Sequence, residues 1–310
     1  MLIRLPGTDL DLFPLCLGGN VFGWSADEDA SFAVLDAYVA AGGNVIDTAD
    51  AYARWLGHGG GESESVIGRW MQARGNRDQL VIATKVGKNE GFDNLRPETI
   101  RAACDLSLQR LQTDRIDLYY AHQDHDDDMG AALEAFDSLV RAGKVRHLAA
   151  SNYTAARLTE ALDLQAQHRW SPYAALQPEY NLVARTEYET EYADLCVERG
   201  IGTLPYFGLA RGYLTGKYRT GGATVESVRA GGVAAYADER GERVVDSLET
   251  IAASHGVRPA AVALAWLRTR PAVVAPIASA RTPEQLAELL PMATLELTAE
   301  DLARLEAVSA

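Results

Sequence analysis

LVIATKV, residues 80–86, is a nearly unbroken apolar run with a lysine just before its end. A strand with one face in water alternates apolar and polar residues, whereas a strand covered on both faces reads as a continuous run, so this segment points to the interior of a parallel sheet. Its neighbours repeat the pattern. Upstream lie PLCLGGN from 14 and NVIDTA from 44; downstream lie IDLYYAH from 116, VRHLAASN from 145, AALQPEYN from 174, IGTLPYFG from 201 and AVVAPIAS from 272, which makes eight runs.

Between the runs lie helical patterns. In residues 27–41, Phe32, Leu35 and Val39 recur at i, i+3 and i+7; in 97–112, Ile100, Cys104, Leu108 and Leu111 form a stripe behind Pro97, a favourable first helical residue. Residues 62–75, 130–142, 154–167 and 186–199 behave alike. Strands alternating with helices, with a middle run of starts about thirty residues apart, argue for βα units, and eight of them argue for a closed (β/α)8 TIM barrel over an open doubly wound sheet. One α/β barrel domain is expected over residues 1–310. The opening RLPGTDLDL reads as an N-terminal β-hairpin capping the barrel bottom.

The 310 residues carry 29 Lys plus Arg against 43 Asp plus Glu, a formal net charge of −14 and a pI near 4.9. Such a surface repels phosphate backbones and anionic headgroups, which argues against nucleic-acid and membrane partners. The N-terminus has no apolar stretch of signal-peptide length, and AAVALAWL at 260–267 is far below a membrane span, so a cytoplasmic protein is expected. Cys16, Cys104 and Cys196 are widely spaced without a C-x-x-C and read as buried free thiols. Oligomeric state is not legible.

In a barrel of this kind chemistry gathers at the C-terminal ends of the strands and in the loops beyond. The run from 44 ends at Asp47 with Tyr52 just after it; the others deliver Lys85, His122, Ser151 with Asn152, Gln177 and Tyr206. Singly, each has an ordinary explanation: a packed tyrosine, a satisfied structural histidine, a loop-capping aspartate, a lysine reaching outward. Three successive strands bringing an acid, a phenol, an amine and an imidazole to one rim form a chemical set. A phenol with a pKa of about 10 is a poor acid at neutral pH, and a neighbouring ammonium favours the phenolate. Lys85 is expected to lower the pKa of Tyr52 in this way, with Asp47 as counter-ion and His122 orienting a carbonyl oxygen. The set suits protonation of an alkoxide.

GGNVIDTADAY, ESVIGRW, LVIATKVG, RIDLYYAH, ASNY, QPEYN and ARGYLTGKY, in this order from about residue 3 to 300, resemble the aldo-keto reductase superfamily. The resemblance implies an NAD(P)H-dependent reduction of an aldehyde or ketone to an alcohol, with Asp47, Tyr52, Lys85 and His122 as catalytic residues and Tyr52 as proton donor. It further implies cofactor contacts from Gly19, Asn20, Asp47, Ser151, Asn152, Gln177, Tyr206, Leu209, Arg211, Lys217, Ser279, Arg281 and Gln285. Tyr206 would stack on the nicotinamide and Ser151, Asn152 and Gln177 would hold its carboxamide. Arg281 suits a 2′-phosphate, favouring NADPH over NADH. The chain departs from the pattern where a glycine near Ser279 and an asparagine at Leu289 are common, and where Phe207 and Gly208 follow Tyr206. Phe22, Trp24 and Trp55 are the expected substrate-pocket residues, with a Gly-rich loop at 52–64 read as mobile and a second Gly-rich tract from Gly208 to about Ala237.

Rival readings are weaker. YLTGK at 213–217 has the spacing of a short-chain dehydrogenase tyrosine and lysine, yet the chain has no G-x-G-x-x-G. HQDHDDD at 122–128 resembles a metal-dependent hydrolase cluster but falls within one loop, so no metal is expected. A cofactor-binding regulatory subunit of the same fold remains the alternative from another functional class.

Overall fold

The computed structural model describes residues 2–125, 128–218, 233 and 236–310. A two-stranded antiparallel hairpin of β1 (Ile3–Arg4) and β2 (Asp11–Leu12) opens the chain. Eight parallel strands follow: β3 (Cys16–Gly18), β4 (Val45–Asp47), β5 (Val81–Val86), β6 (Ile116–Ala121), β7 (Val145–Ser151), β8 (Tyr173–Gln177), β9 (Gly202–Thr203) and β10 (Ile277–Ala278), in the order β10-β3-β4-β5-β6-β7-β8-β9. The ring closes between its ends: Thr203 bridges Val273, Val274 N donates to Thr203 O at 2.9 Å, and Ile277 N donates to Pro205 O at 2.8 Å. The eight apolar runs thus form a (β/α)8 barrel.

β9 and β10 are shorter than the runs containing them because Pro205 and Pro276 have no amide hydrogen to extend a ladder. The helices on the outside are α1 (Glu28–Ala40), α2 (Glu62–Arg74), α3 (Pro97–Leu111), α4 (Met129–Arg141), α5 (Ala155–His168), α6 (Ala193–Arg199), α7 (Glu239–His255), α8 (Pro259–Arg268), α9 (Pro283–Leu289) and α10 (Ala299–Ser309). Their starts are chemically marked: Asp27, Asp128, Thr154 and Thr298 each accept a first-turn amide, and Pro97 opens α3. The expected helix over 186–199 forms, with a π-helical turn at Tyr188–Tyr192 inside it that widens the coil before α6. Tyr188 and Tyr192 are both buried there and tied in different directions, Tyr188 Oη to Pro271 O at 2.9 Å and Tyr192 Oη to Tyr153 O at 2.9 Å. None of the described helices is long and apolar enough to cross a membrane.

Apolar side chains form two layers. The outer one lies between strands and helices; the inner one fills the barrel with Cys16, Val45, Val81, Ala83, Leu118, Tyr120, Ala149 and Ala175. Leu5, Leu10 and Leu12 of the hairpin join the inner layer, closing the N-terminal end of the barrel. Asp9 at the hairpin turn holds Arg146 Nη2 at 2.6 Å and His147 Nε2 at 2.7 Å on β7. Filled and capped below, the barrel has its cavity at the opposite rim.

Candidate active site

Side chains alternate between lumen and helix layer along each strand, so the inner layer predicts what stands above it. Val45 on β4, Ala83 on β5, Tyr120 on β6, Ala149 on β7 and Ala175 on β8 face the lumen. Two residues further along, the same face carries Asp47, Lys85, His122, Ser151 and Gln177. A period of two in five neighbouring strands gathers them at one rim.

Lys85 is fully buried and uses its ammonium three ways, donating to Asp47 Oδ2 at 2.6 Å, Thr48 O at 2.7 Å and Tyr52 Oη at 3.0 Å. The Tyr52 hydroxyl donates to Asp47 Oδ2 at 3.2 Å, and Gln177 Nε2 crosses the lumen to Asp47 Oδ1 at 2.9 Å. Both carboxylate oxygens of Asp47 are therefore engaged, which is how a buried charge pair is tolerated. The ring of Tyr52 lies edge-on to that of His122, centroids 6.3 Å apart.

The expected direction of the Tyr52 pKa is reversed. Burial, then the charge and hydrogen bond of Asp47, push the phenol well above its ordinary value. The amine beside it is neutralised by the same carboxylate, so the phenol meets an ion pair rather than a free cation. Tyr52 consequently keeps its proton throughout the neutral range. For His122, burial first and then the charges of Lys85, Lys88 and Arg54 hold the imidazole well below its usual pKa, so it is neutral. Its Nδ1 is buried without a hydrogen-bond partner among the described residues. An orphaned N–H is the costlier orphan, so we assign the proton to Nε2.

Above this cluster lies a cavity of about 530 Å3, lined by Tyr52, His122, Ser151, Asn152, Gln177 and Tyr206 among others. Asn152, at φ +55°, donates to His122 O at 2.8 Å and accepts from Tyr206 Oη at 3.1 Å; Ser151 Oγ donates to Gln177 O at 2.9 Å. Asn20, Leu209, Arg211, Lys217, Ser279, Arg281 and Gln285 line the same cavity, with Ser279 Oγ donating to Asn20 Oδ1 at 2.6 Å. Gly19 does not line it but packs beneath, where a Cβ would meet Ser63 Oγ at 2.8 Å. Arg211 lies over Phe207 at 4.3 Å, Lys217 over Tyr218 at 4.9 Å, and neither they nor Arg281 are ion-paired among the described residues. Three uncompensated cations beside an aromatic face and a set of amides form a donor set suited to a dinucleotide with its phosphates.

Trp24 and Trp55 line the cavity and pack edge-to-face at 4.9 Å. Phe22, grouped with them from sequence, is instead fully buried in the outer apolar layer and does not reach the cavity. The glycines of the 52–64 loop, read as a sign of mobility, have a conformational cause: Gly57, Gly59, Gly60 and Gly61 all hold φ between +82° and +87°. A Cβ on Gly60 would also come within 2.6 Å of Asp50 O. Of the second Gly-rich tract, residues 219–232, 234 and 235 lie outside the described residues. In HQDHDDD, Asp124 holds Arg157 at 2.7 Å, His125 Nε2 bonds Gly87 O at 2.7 Å and Asp128 caps α4, while Asp126 and Asp127 are outside the described residues.

The barrel agrees with what comparison of sequences finds. A model of the aldo/keto reductase family matches residues 14–310. The chain belongs to the aldo/keto reductase family. Among similar proteins, protein Tas of Escherichia coli is 33% identical, covering 98% of this chain and 96% of its own. Norsolorinic acid reductase B of Aspergillus parasiticus is 31% identical over 97% of this chain and 82% of its own, and an aryl-alcohol dehydrogenase of Pestalotiopsis microspora is 29% identical over 97% and 80%. This aldo/keto reductase is an oxidoreductase, and the family works with nicotinamide cofactors. Two features of its site were not legible in sequence. Lys88 reads as a solvated loop lysine yet lines the cavity, and Asp50 reads as loop polarity yet is buried.

Proposed function

We propose that the chain reduces an aldehyde or ketone to an alcohol with NADPH, Tyr52 donating the proton. The observation that carries this reading is the placement of the Tyr52 hydroxyl at the cavity wall, 3.0 Å from Lys85 Nζ and 3.2 Å from Asp47 Oδ2. Bound nicotinamide supplies hydride to the carbonyl carbon. Tyr52 turns its O–H from Asp47 Oδ2 to the substrate oxygen, while Lys85 Nζ keeps donating to the phenol oxygen and holds the phenolate as the proton leaves. Asp47 supplies the buried Lys85 side chain with its ion-pair partner at 2.6 Å. His122, neutral and protonated on Nε2, donates to the same carbonyl oxygen and fixes its approach. Ser151, Asn152 and Gln177 suit the carboxamide, the Tyr206 ring the nicotinamide face, and Arg211, Lys217 and Arg281 the phosphates.

Tyr52→Phe is expected to lower kcat at least about a thousandfold, the scale of losing a general acid together with its orientation, with NADPH affinity nearly unchanged. Arg281→Ala is expected to weaken NADPH binding far more than NADH binding. Steady NADPH oxidation with 4-nitrobenzaldehyde, and its loss in the Phe variant, is the deciding measurement. Tight cofactor binding without turnover over a broad carbonyl panel would establish the regulatory alternative.

A further inference from the structure

The sheet order divides the rim. Segments after the adjacent strands β3, β4, β5 and β6 bring Trp24, Tyr52 with Trp55, Lys88 and His122 to the cavity, whereas the cations suited to phosphates follow β9 and β10. Lys88 therefore stands on the side of the proton donor. Of the chain's four lysines, Lys85 pairs with Asp47, Lys144 with Asp105, and Lys217 lies over Tyr218. The Lys88 ammonium has no acceptor among the described residues, although the chain holds 43 acidic residues against 29 basic ones.

The position of Lys88 is fixed without its ammonium. Arg54 donates to the Lys88 carbonyl, His125 Nε2 bonds Gly87 O at 2.7 Å, and His122 N bonds Val86 O at 2.8 Å, so the segment is pinned by its backbone. Burial first, and then the charges of Lys85 and Arg54, hold the amine below its ordinary pKa; an anion beside it reverses that penalty. Nearby, Trp24 and Trp55 cross at 77°, and Trp55 remains 51% exposed, an apolar face with no protein against it.

We propose that Lys88 determines substrate choice, and that the carbonyl compound is a flat aromatic aldehyde or ketone whose carboxylate pairs with the Lys88 ammonium while its ring packs against Trp24 and Trp55. A single ammonium, with the Arg54 guanidinium committed to a carbonyl, suits a monoanion rather than a phosphate, which favours forked donors. The proposal rests on the reductase reading and extends it to a substrate class.

The test compares 2-, 3- and 4-carboxybenzaldehyde with benzaldehyde in wild type, Lys88→Met and Lys88→Arg. At least one carboxylated isomer is expected to exceed benzaldehyde by about tenfold in kcat/KM, mainly through KM, the scale of one partly desolvated charge pair. Lys88→Met should erase most of that ratio and Lys88→Arg should keep most of it. A ratio near one for all three isomers in the wild type, or a preference that survives in Lys88→Met, overturns the proposal. If no aldehyde is turned over with either nicotinamide cofactor, the reductase reading fails separately. Calorimetric titration of the matching hydroxymethylbenzoate then still reads the anion site: binding lost in Lys88→Met supports it, and binding equal in both proteins overturns it.

Discussion

At the scale of single residues, what the protein does with charge depends on how many partners each buried group finds. Asp47 has three and Lys85 has three, and both sit in the lumen. Asp50, three residues from Asp47, has none: both carboxyl oxygens are buried without a hydrogen-bond partner among the described residues. Burial, and then the charge of Glu64, raise its pKa from 3.8 to about 8. The folded chain thus holds a proton there that the unfolded chain releases, and stability falls as pH rises from about 4 to about 8. Asp50→Asn removes the linkage. It is expected to be more stable than wild type by up to about 4 kcal/mol at pH 7, with the difference shrinking towards pH 4. Urea midpoints of both proteins across that range check the sign; a difference independent of pH would rule the account out. Neither this group nor Lys88 was legible in the sequence, because a polar residue beside a strand end reads alike whether it faces water or a cavity wall.

At the scale of elements, the helix that follows the rim loop ties the site to the barrel wall. Ser63 at the start of α2 donates to Gly19 O at 2.8 Å and accepts from Thr48 at 2.8 Å, and Glu64 holds Thr84 at 2.5 Å and Arg110 at 2.6 Å. α2 can approach α3 this closely only through Gly68, where a Cβ would stand 2.2 Å from Arg110 O and 2.8 Å from the carbonyl carbon of Leu111. Alanine is the better helix former by about 1 kcal/mol, but the obstacle is backbone and cannot rotate away. Gly68→Ala is therefore expected to destabilise by about 1–3 kcal/mol net, readable as a lower urea midpoint. The element pattern itself was plain in sequence, since eight buried strands and most intervening helices show as apolar runs and stripes. Composition does not separate neighbours of one chemical kind: Phe22 lies two residues from Trp24, yet one points into the packing and the other into the cavity.

At the scale of the molecule, the two ends of the barrel carry different tasks. At the lower end the fully buried Asp117 of β6 accepts from Arg77 Nη2 at 2.7 Å, Arg146 Nη1 at 2.7 Å and Ile82 N at 2.9 Å, and Arg146 links on to the hairpin through Asp9. Asp117→Asn leaves the Arg77 guanidinium without its ion-pair partner and Arg146 with Asp9 alone, at a cost of about 3 kcal/mol and a Tm lower by roughly 5–10 °C. Carbonyl KM and kcat at 25 °C should not change, because no part of this network reaches the cavity; a kinetic effect equal to that of a rim substitution would contradict the division of labour.

The sequence by itself determined the barrel and the polar residue types gathered at its rim, because strand burial and the two-residue alternation of side chains are local properties written into every run. Only the tertiary structure decided the electrostatics. Whether Lys85 acts on Tyr52 as a free cation or as half of an ion pair, whether Asp50 keeps a proton, and whether Lys88 faces open water or the cavity all depend on the distances between groups far apart in the chain, and charge and desolvation act through those distances.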